Sequence, residues 1–347
     1  MKKFLFIIAL LSIVSILMGQ SLTGIVESAK NVNMNYKLYE LNLEKTRLDY
    51  DKGVIEAINQ KAEIAAQINR LSGENKSQSN LSSFYSEVLE DIFDVKIQTL
   101  NMTIAELTVK SAKLDYEDND NLYNKGLVAY TGLKNASITY RDAQTDLEQV
   151  KVDLELAQKN FKRHTGLEWT DLELFILDYQ TLLISESEWL NNSKTVGISQ
   201  YNLDMAEYDI KNLSSNSSLF DRKIANIGLE QAEIDLEMTK ENVLNQKNNY
   251  EDSLYFMHKQ LYTSQEKVTI AKEDYDDVKN RHSKGLVSDK ELFAQERSYL
   301  NTLSQYYSRL KSYWTTLSGY IISADKNMEA VIRDNLKKIE SETKEKE

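Results

Sequence analysis

Apolar residues recur every seven positions along two separate stretches of the chain. Val95, Met102, Val109 and Tyr116 form one series, and Leu254, Leu261, Val268 and Tyr275 form another. Past a short break in each, Leu133, Tyr140, Leu147, Leu154 and Phe161 answer Leu292, Tyr299, Tyr306, Tyr313 and Tyr320. Each member of the first set lies 159 positions before its counterpart, with no gap needed from 95 to 161. Asn42-Leu43-Glu44 answers Asn202-Leu203-Asp204 at an offset of 160. The chain is an internal duplication.

Seven residues make nearly two helical turns, so each series lines one stripe of a helix. The second copy also carries the complementary seam: Leu229, Leu236, Val243, Tyr250, Met257, Ser264, Ala271 and Val278. Interleaved with Leu254, Leu261, Val268 and Tyr275, it gives the three-four alternation of coiled-coil packing. Leu303, Leu310 and Leu317 interleave with the later tyrosines in the same way. The break between the helices is Lys-Gly-Leu-Val in both copies, at Lys125–Val128 and Lys284–Val287. Glycine supplies the left-handed conformation that commonly ends a helix, so Gly126 and Gly285 mark tight turns. Ser288-Asp289 fits the cap of the helix that follows the second turn, with Thr131 the weaker counterpart after the first.

The fold predicted is all-α, two tandem antiparallel coiled-coil hairpins. The expected divisions are a leader over 1–20, a first helical repeat over 21–166 and a linking segment over 167–195. A second repeat over 196–325 and a charged tail over 326–347 follow. Helices over 30–70 and 196–212 lead into the hairpins, and the second ascending helix runs from about Leu229 to His282. That is roughly 80 Å of helix, longer than an ordinary domain is wide, which predicts a rod or a tube. Trp169, Leu172, Leu174, Phe175 and Trp189 make the linking segment a packed cuff, and the tail from Lys326 reads as a frayed helix.

Composition agrees with long helices. The 347 residues contain no proline, where roughly 17 would be ordinary. Cysteine is also absent, which excludes disulfides, thiolate metal sites, cysteine nucleophiles and a lipid anchor on cysteine. The formal net charge of −12 is wrong for a nucleic-acid backbone or an anionic membrane surface. Lys2 and Lys3 followed by the apolar run Phe4–Met18 predict a signal peptide ending near Gly19, although Leu17 is large for a cleavage site. A retained N-terminal anchor is the alternative.

Chemistry is sparse. The three histidines, His164, His258 and His282, lack the spacing of a helical metal pair and read as seam or solvated positions. No phosphate loop, nucleophile elbow or zinc motif occurs, so no enzyme activity and no cofactor are expected. Asp115, Glu117, Asp118 and Asp120 crowd the first turn, and Asp274, Asp276 and Asp277 the second. They are either a solvated helix face or, in an oligomer, entrance carboxylates that attract cations. The Tyr299, Tyr306, Tyr313 and Tyr320 stripe reads as core packing with hydroxyls reaching water at the edge.

Two segments together carry a family resemblance: Tyr116-Glu-Asp-Asn-Asp-Asn-Leu-Tyr-Asn-Lys-Gly-Leu-Val and Tyr275-Asp-Asp-Val-Lys-Asn-Arg-His-Ser-Lys-Gly-Leu-Val. With the duplication, heptads and leader, the chain resembles the TolC-like outer-membrane efflux family over roughly 40–165 and 200–320. The resemblance implies a homotrimer whose helices form a tunnel, an α-helical barrel in the periplasm of a diderm bacterium, at its outer membrane. It also implies an adaptor (membrane fusion) protein and an inner-membrane pump as partners. Gly126, Leu127 and Val128 with Gly285, Leu286 and Val287 would then be the adaptor-docking tips. As plain turns they would expose Leu and Val without function. The family's membrane strands are missing: Ser72–Asn80 and Leu213–Ser218 read as short polar turns where two strands of about 9–11 residues would be needed. The resemblance therefore implies an efflux or type I secretion tunnel, and the missing strands leave a non-conducting periplasmic spacer as the alternative. An adaptor-type protein is disfavoured because no β-rich segment is present.

Overall fold

The computed structural model describes residues 21–172 and 174–335. The expected leader and the end of the charged tail lie outside them. Eight α-helices account for most of the described chain: α1 (Leu22–Val32), α2 (Met34–Glu56), α3 (Gln60–Asn124) and α4 (Tyr130–Thr165), then α5 (Glu186–Asn192), α6 (Lys194–Lys211), α7 (Leu219–Ser283) and α8 (Asp289–Ser323). Residues 328–335 are also helical, and no strand occurs among the described residues. The all-α fold of two tandem hairpins, α3–α4 and α7–α8, is what the heptads predict. The duplication reaches further than the apolar series does. α3 and α7 are each 65 residues long, and both of their ends are displaced by 159.

The helices pass through two compact units. One gathers Val88–Ile176 and Phe256–Trp314 with the start of α1; the other gathers Val26–Glu87, Leu177–Tyr255 and the described residues from Thr315 on. In the first unit α8 lies antiparallel to α3 in a seven-residue register. Lys290 pairs with Asp115 at 2.5 Å and Arg297 donates to Thr108 at 3.3 Å. Ser304 bonds Asn101 at 3.3 Å and Lys311 pairs with Asp94 at 2.8 Å. Each step is seven on both helices. Half-exposed polar pairs are worth about 0–1 kcal/mol each, whereas burying one large apolar side chain contributes about 1.5–3 kcal/mol. The ladder therefore sets the register, and the buried layer of Val95, Leu107, Leu261, Leu310 and Tyr313 supplies the stability.

The linking segment packs as the cuff that its aromatics predict. In the first unit Trp169 meets Phe161 edge-on at 5.2 Å, and Phe175 meets Trp314 at 5.6 Å. The Trp314 indole N–H donates to the Phe175 carbonyl at 3.0 Å. In the second unit Trp189 stacks on Tyr320 at 5.1 Å and donates to the Val243 carbonyl at 3.1 Å. Gly319 makes room for Tyr250, whose hydroxyl would lie 3.2 Å from an added Cβ.

The tyrosine stripe is core, with Tyr306, Tyr313 and Tyr320 all buried. The Tyr320 hydroxyl does not reach water as expected. It accepts from the Ile184 N–H at 2.9 Å and donates to Glu251 at 2.8 Å. The charged tail also begins differently from its expected frayed form: Met328 and Ile332 are buried.

Two boundaries differ from expectation for one physical reason. The leading helix does not run to 70 and turn at Ser72–Asn80. It ends at Glu56, and Ser72–Asn80 lies inside α3. Gly73 is a point of close helix approach, where a Cβ would come within 2.2 Å of the Thr46 hydroxyl on α2. The serines bond back along their own helix, Ser77 to the Gly73 carbonyl at 2.9 Å and Ser83 to that of Ser79 at 3.0 Å. A Gly/Ser-rich stretch that reads as a turn by propensity is thus absorbed into a helix. The short connection falls at residues 57–59 instead, while its counterpart over 212–218 agrees with the polar turn at Leu213–Ser218.

Two outcomes follow. Gly73→Ala lowers stability by about 1–3 kcal/mol through overpacking, despite alanine's better helix propensity. In a Thr46→Ala background the same change becomes neutral or stabilising in urea unfolding. Tyr320→Phe costs about 1–3 kcal/mol by leaving the Ile184 N–H without its acceptor. Burial holds the Tyr320 phenol above its ordinary value. Its contribution is therefore whole while the unfolded chain's tyrosines stay protonated, below pH about 10, and is lost as pH rises beyond. Tyr320→Phe should reduce the alkaline slope of stability, measured by denaturation between pH 9 and 11.

Candidate functional site: the two helical tips

Both turns are built by one backbone device. Gly126 donates to the Tyr123 carbonyl at 2.9 Å and Leu127 to that of Leu122 at 2.9 Å. Gly285 donates to the His282 carbonyl at 2.8 Å and Leu286 to that of Arg281 at 3.0 Å. This crossed pair of bonds requires a left-handed residue after the helix, and the glycines have φ of 69° and 71°. An added Cβ would meet nothing at either glycine, so backbone conformation alone selects the residue.

The motif fixes which side chain faces out. Leu127 is 69% exposed and Leu286 67%. Val128 and Val287 are half-buried. The leucines therefore form the apolar points of the tips and the valines brace the turns from beneath. The following helix starts with Ser288 as its cap, accepting from the Glu291 N–H at 3.2 Å. The first hairpin differs from expectation, because α4 begins at Tyr130 behind Ala129 and has no side-chain cap. Thr131 lies already within that helix.

Paired tyrosines stand behind each tip at equivalent positions. Tyr116 stacks on Tyr140 at 6.1 Å and Tyr275 on Tyr299 at 5.8 Å. Closer to the turn the copies diverge. The positions seven apart across the turn are Tyr123 and Tyr130 in one, with rings 6.0 Å apart. In the other they are His282 and Asp289, bonded at 2.6 Å. The first tip is thus braced by an aromatic pair and the second by a hydrogen bond on the same backbone. The seven-residue spacing across the turn was the available signal for both pairs, and sequence reasoning did not use it.

The carboxylates near the tips separate in the same way. Lys290 bonds both Asp115, at 2.5 Å, and Asp118, at 2.8 Å, and these bonds hold its ammonium above the ordinary lysine value. Asp120 accepts only a long bond from Asn124, at 3.4 Å. On the second hairpin Asp277 is 3.9 Å from Arg281. Asp274 and Asp276 have no ion pair among the described residues. The difference lies in the duplication: the counterpart of Lys290 is Thr131, which carries no charge. Lys290 is a tip residue that sequence reasoning missed.

Of the other two histidines, His164 bonds Asp91 at 2.6 Å and His258 packs edge-on against Tyr262 at 4.8 Å. No group of three His, Cys, Asp or Glu residues suited to a metal occurs among the described residues. A cleft of about 510 Å³ in the second unit is lined in part by Tyr36, Tyr39 and Tyr85. Its cations Lys30, Lys194 and Lys326 are each paired with a carboxylate, Glu329, Asp325 and Glu188. No described helix is long and apolar enough to cross a membrane.

No sequence-family model matches this chain, and no curated protein does. Solved structures match its fold over nearly their whole length. The Campylobacter jejuni CmeC outer membrane channel is 14% identical, with a TM-score of 0.55, over 90% of this chain and 88% of that one. The Vibrio cholerae outer membrane protein VceC is 10% identical, TM-score 0.55, over 85% and 95%. CusC, a protein that forms a transmembrane channel, is 11% identical, TM-score 0.55, over 89% and 93%. The chain has the fold of these proteins, as its resemblance to TolC-like sequences implies.

Replacing Gly126 or Gly285 with valine forces a β-branched residue into the left-handed region. Each change should cost about 1–2 kcal/mol in thermal or urea unfolding. Alanine should cost less than valine, and neither should alter helix content measured by circular dichroism.

Proposed function

We propose that this protein is a tunnel component of a tripartite efflux or type I secretion system, acting in the periplasm at the outer membrane of a diderm bacterium. It works as a homotrimer, with a membrane fusion adaptor and an inner-membrane pump as partners. The observation that carries this reading is the pair of tips. Two turns 159 residues apart repeat one hydrogen-bond pattern and expose one leucine each, Leu127 and Leu286. Isolated exposed leucines are unremarkable, but a matched pair on equivalent turns is what contact with a repeated partner needs. Likeness of fold to outer membrane channels supports the same reading.

On this reading Gly126, Leu127, Val128, Gly285, Leu286 and Val287 dock the adaptor. Asp120, Asp274 and Asp276 then stand at the entrance without a cation, whereas Lys290 offsets one of the two charges of Asp115 and Asp118, and Asp277 is near Arg281. A ring of such carboxylates favours cations.

A second reading has its own observation in support. No strand occurs among the described residues, and the connection over 57–59 is too short to hold one. That favours a non-conducting helical spacer that tethers envelope layers.

The readings separate in two measurements. Electron microscopy of the purified protein gives a hollow three-fold particle if it conducts and a solid or monomeric one if it spaces. Leu127→Asp with Leu286→Asp, both at exposed positions, should abolish cross-linking to the adaptor while leaving the unfolding midpoint unchanged. Cross-linking that survives both changes would remove the docking role of the tips.

A further inference from the structure

The cleft in the second unit has a counterpart made by the duplication. Two of its walls are faces of α2 and α3. Tyr36, Tyr39 and Leu43 line one and Gln78, Leu81 and Tyr85 the other, at the same three-four spacing. A second cleft in this unit, of about 740 Å³, is lined in part by Leu190, Glu233, Glu237, Lys240 and Leu244. These residues are the counterparts of Lys30, Glu74, Gln78, Leu81 and Tyr85. The offset is 160 before the connection over 57–59 and 159 after it.

The two clefts have diverged in chemistry. Tyr36, Tyr39 and Tyr85 correspond to Val196, Ser199 and Leu244, and Lys30 to Leu190. The scaffold therefore folds without aromatic side chains at these places, and packing alone does not call for three tyrosines in the first copy. The end of α8 adds an independent sign. Asp325 donates to the Ile322 carbonyl at 2.9 Å and Lys326 to that of Ile321 at 3.0 Å, the crossed pair of bonds seen at the tips. The tips place glycine in the left-handed position. Here Asp325 holds it, with φ of 58°, the one non-glycine residue with positive φ among the described residues. An L side chain is strained there, and its carboxylate lines the cleft and bonds Lys194 at 2.6 Å.

We propose that the tyrosine-lined cleft is a binding site for a neutral oligosaccharide, acquired by one copy of the duplicated scaffold. The site lies within a single chain and does not depend on the tunnel reading.

Charge selects the ligand class. Lys30 pairs with Glu329, Lys194 with Asp325, Lys326 with Glu188, and Glu74 with Arg70 at 2.7 Å. A ligand with net charge would have to break one of these pairs. An uncharged one uses the protons and lone pairs that they leave over. Gln78 donates to the Ile322 carbonyl and Asn327 accepts from the Ala330 N–H at 3.1 Å, which leaves an acceptor on one amide and donors on the other. Burial holds the phenols of Tyr36, Tyr39 and Tyr85 above their ordinary value, so they stay uncharged donors at neutral pH. A pyranose ring presents hydroxyls that both donate and accept at its edge and C–H groups on its faces, which match the amides and the aromatic rings in turn. The volume of about 510 Å³ lies within the roughly 300–1,000 Å³ of small-ligand sites.

Isothermal titration of the full-length protein with cellotriose, maltotriose and chitotriose tests this. At least one should bind saturably, at one site per chain. Tyr36→Val with Tyr39→Ser installs the residues that the other copy already accepts, and should raise the dissociation constant about tenfold or more. Asp325→Gly relieves the left-handed strain, so it should hold or raise the unfolding midpoint while weakening binding. Glu237→Ala, in the counterpart cleft, should leave the dissociation constant unchanged. The proposal is overturned if none of the three sugars binds, if spermidine or citrate binds in their place, or if the tyrosine variant binds as the wild type does. Two sugars bound per chain would also overturn it, because the counterpart cleft would then suffice without tyrosines. So would an Asp325→Gly chain that loses stability and keeps its affinity, since the strain would then serve the Lys194 pair alone.

Discussion

The seven-residue register between α3 and α8 is the constraint on which the rest of this structure hangs. Two long helices can slide past each other by one heptad with little loss of apolar contact, because Leu, Val and Tyr repeat at every step. Polar rungs remove that freedom. Lys311 with Asp94 and Lys290 with Asp115 bracket the ladder, and a slip of seven residues would set Lys290 opposite Thr108 in place of a carboxylate. Each rung is weak against the buried aliphatic and aromatic layer. Its value lies in making one alignment better than its neighbours. With that alignment set, Lys290 falls beside the first tip and bridges Asp115 and Asp118.

The same logic governs how glycine and serine are spent. Gly126 and Gly285 are required by a positive φ with open space around them, whereas Gly73 is required by space alone, with Thr46 where a Cβ would lie. The identical residue type therefore ends a helix in two places and holds two helices together in a third. Local composition cannot separate these uses. The serines around Gly73 bond to carbonyls four residues back and so stay helical, where propensity alone favours a turn.

Duplication followed by divergence explains the tips. The backbone bonds and the exposed leucines are the same in both, because a left-handed glycine after the helix leaves few other arrangements. The side chains bracing the turn have separated into an aromatic pair, Tyr123 with Tyr130, and a hydrogen-bonded pair, His282 with Asp289. One scaffold thus presents two chemistries, and a partner able to tell them apart could bind the hairpins unequally.

The sequence by itself determined the all-α fold, the two hairpins, the offset of 159, the turns at Gly126 and Gly285 and the aromatic character of the linking segment. These are legible because they rest on periodicity and on local backbone chemistry, which the order of residues states directly. Only the tertiary structure decided that Ser72–Asn80 is helix, that Tyr320 bonds Ile184 and Glu251, and that Lys290 takes two of the tip carboxylates. Each of these depends on a partner distant along the chain: Thr46 on α2 for Gly73, α7 and the linking segment for Tyr320, and α3 for Lys290. A heptad says which face of a helix is buried. It does not say which helix covers that face, and the polar contacts follow from that choice.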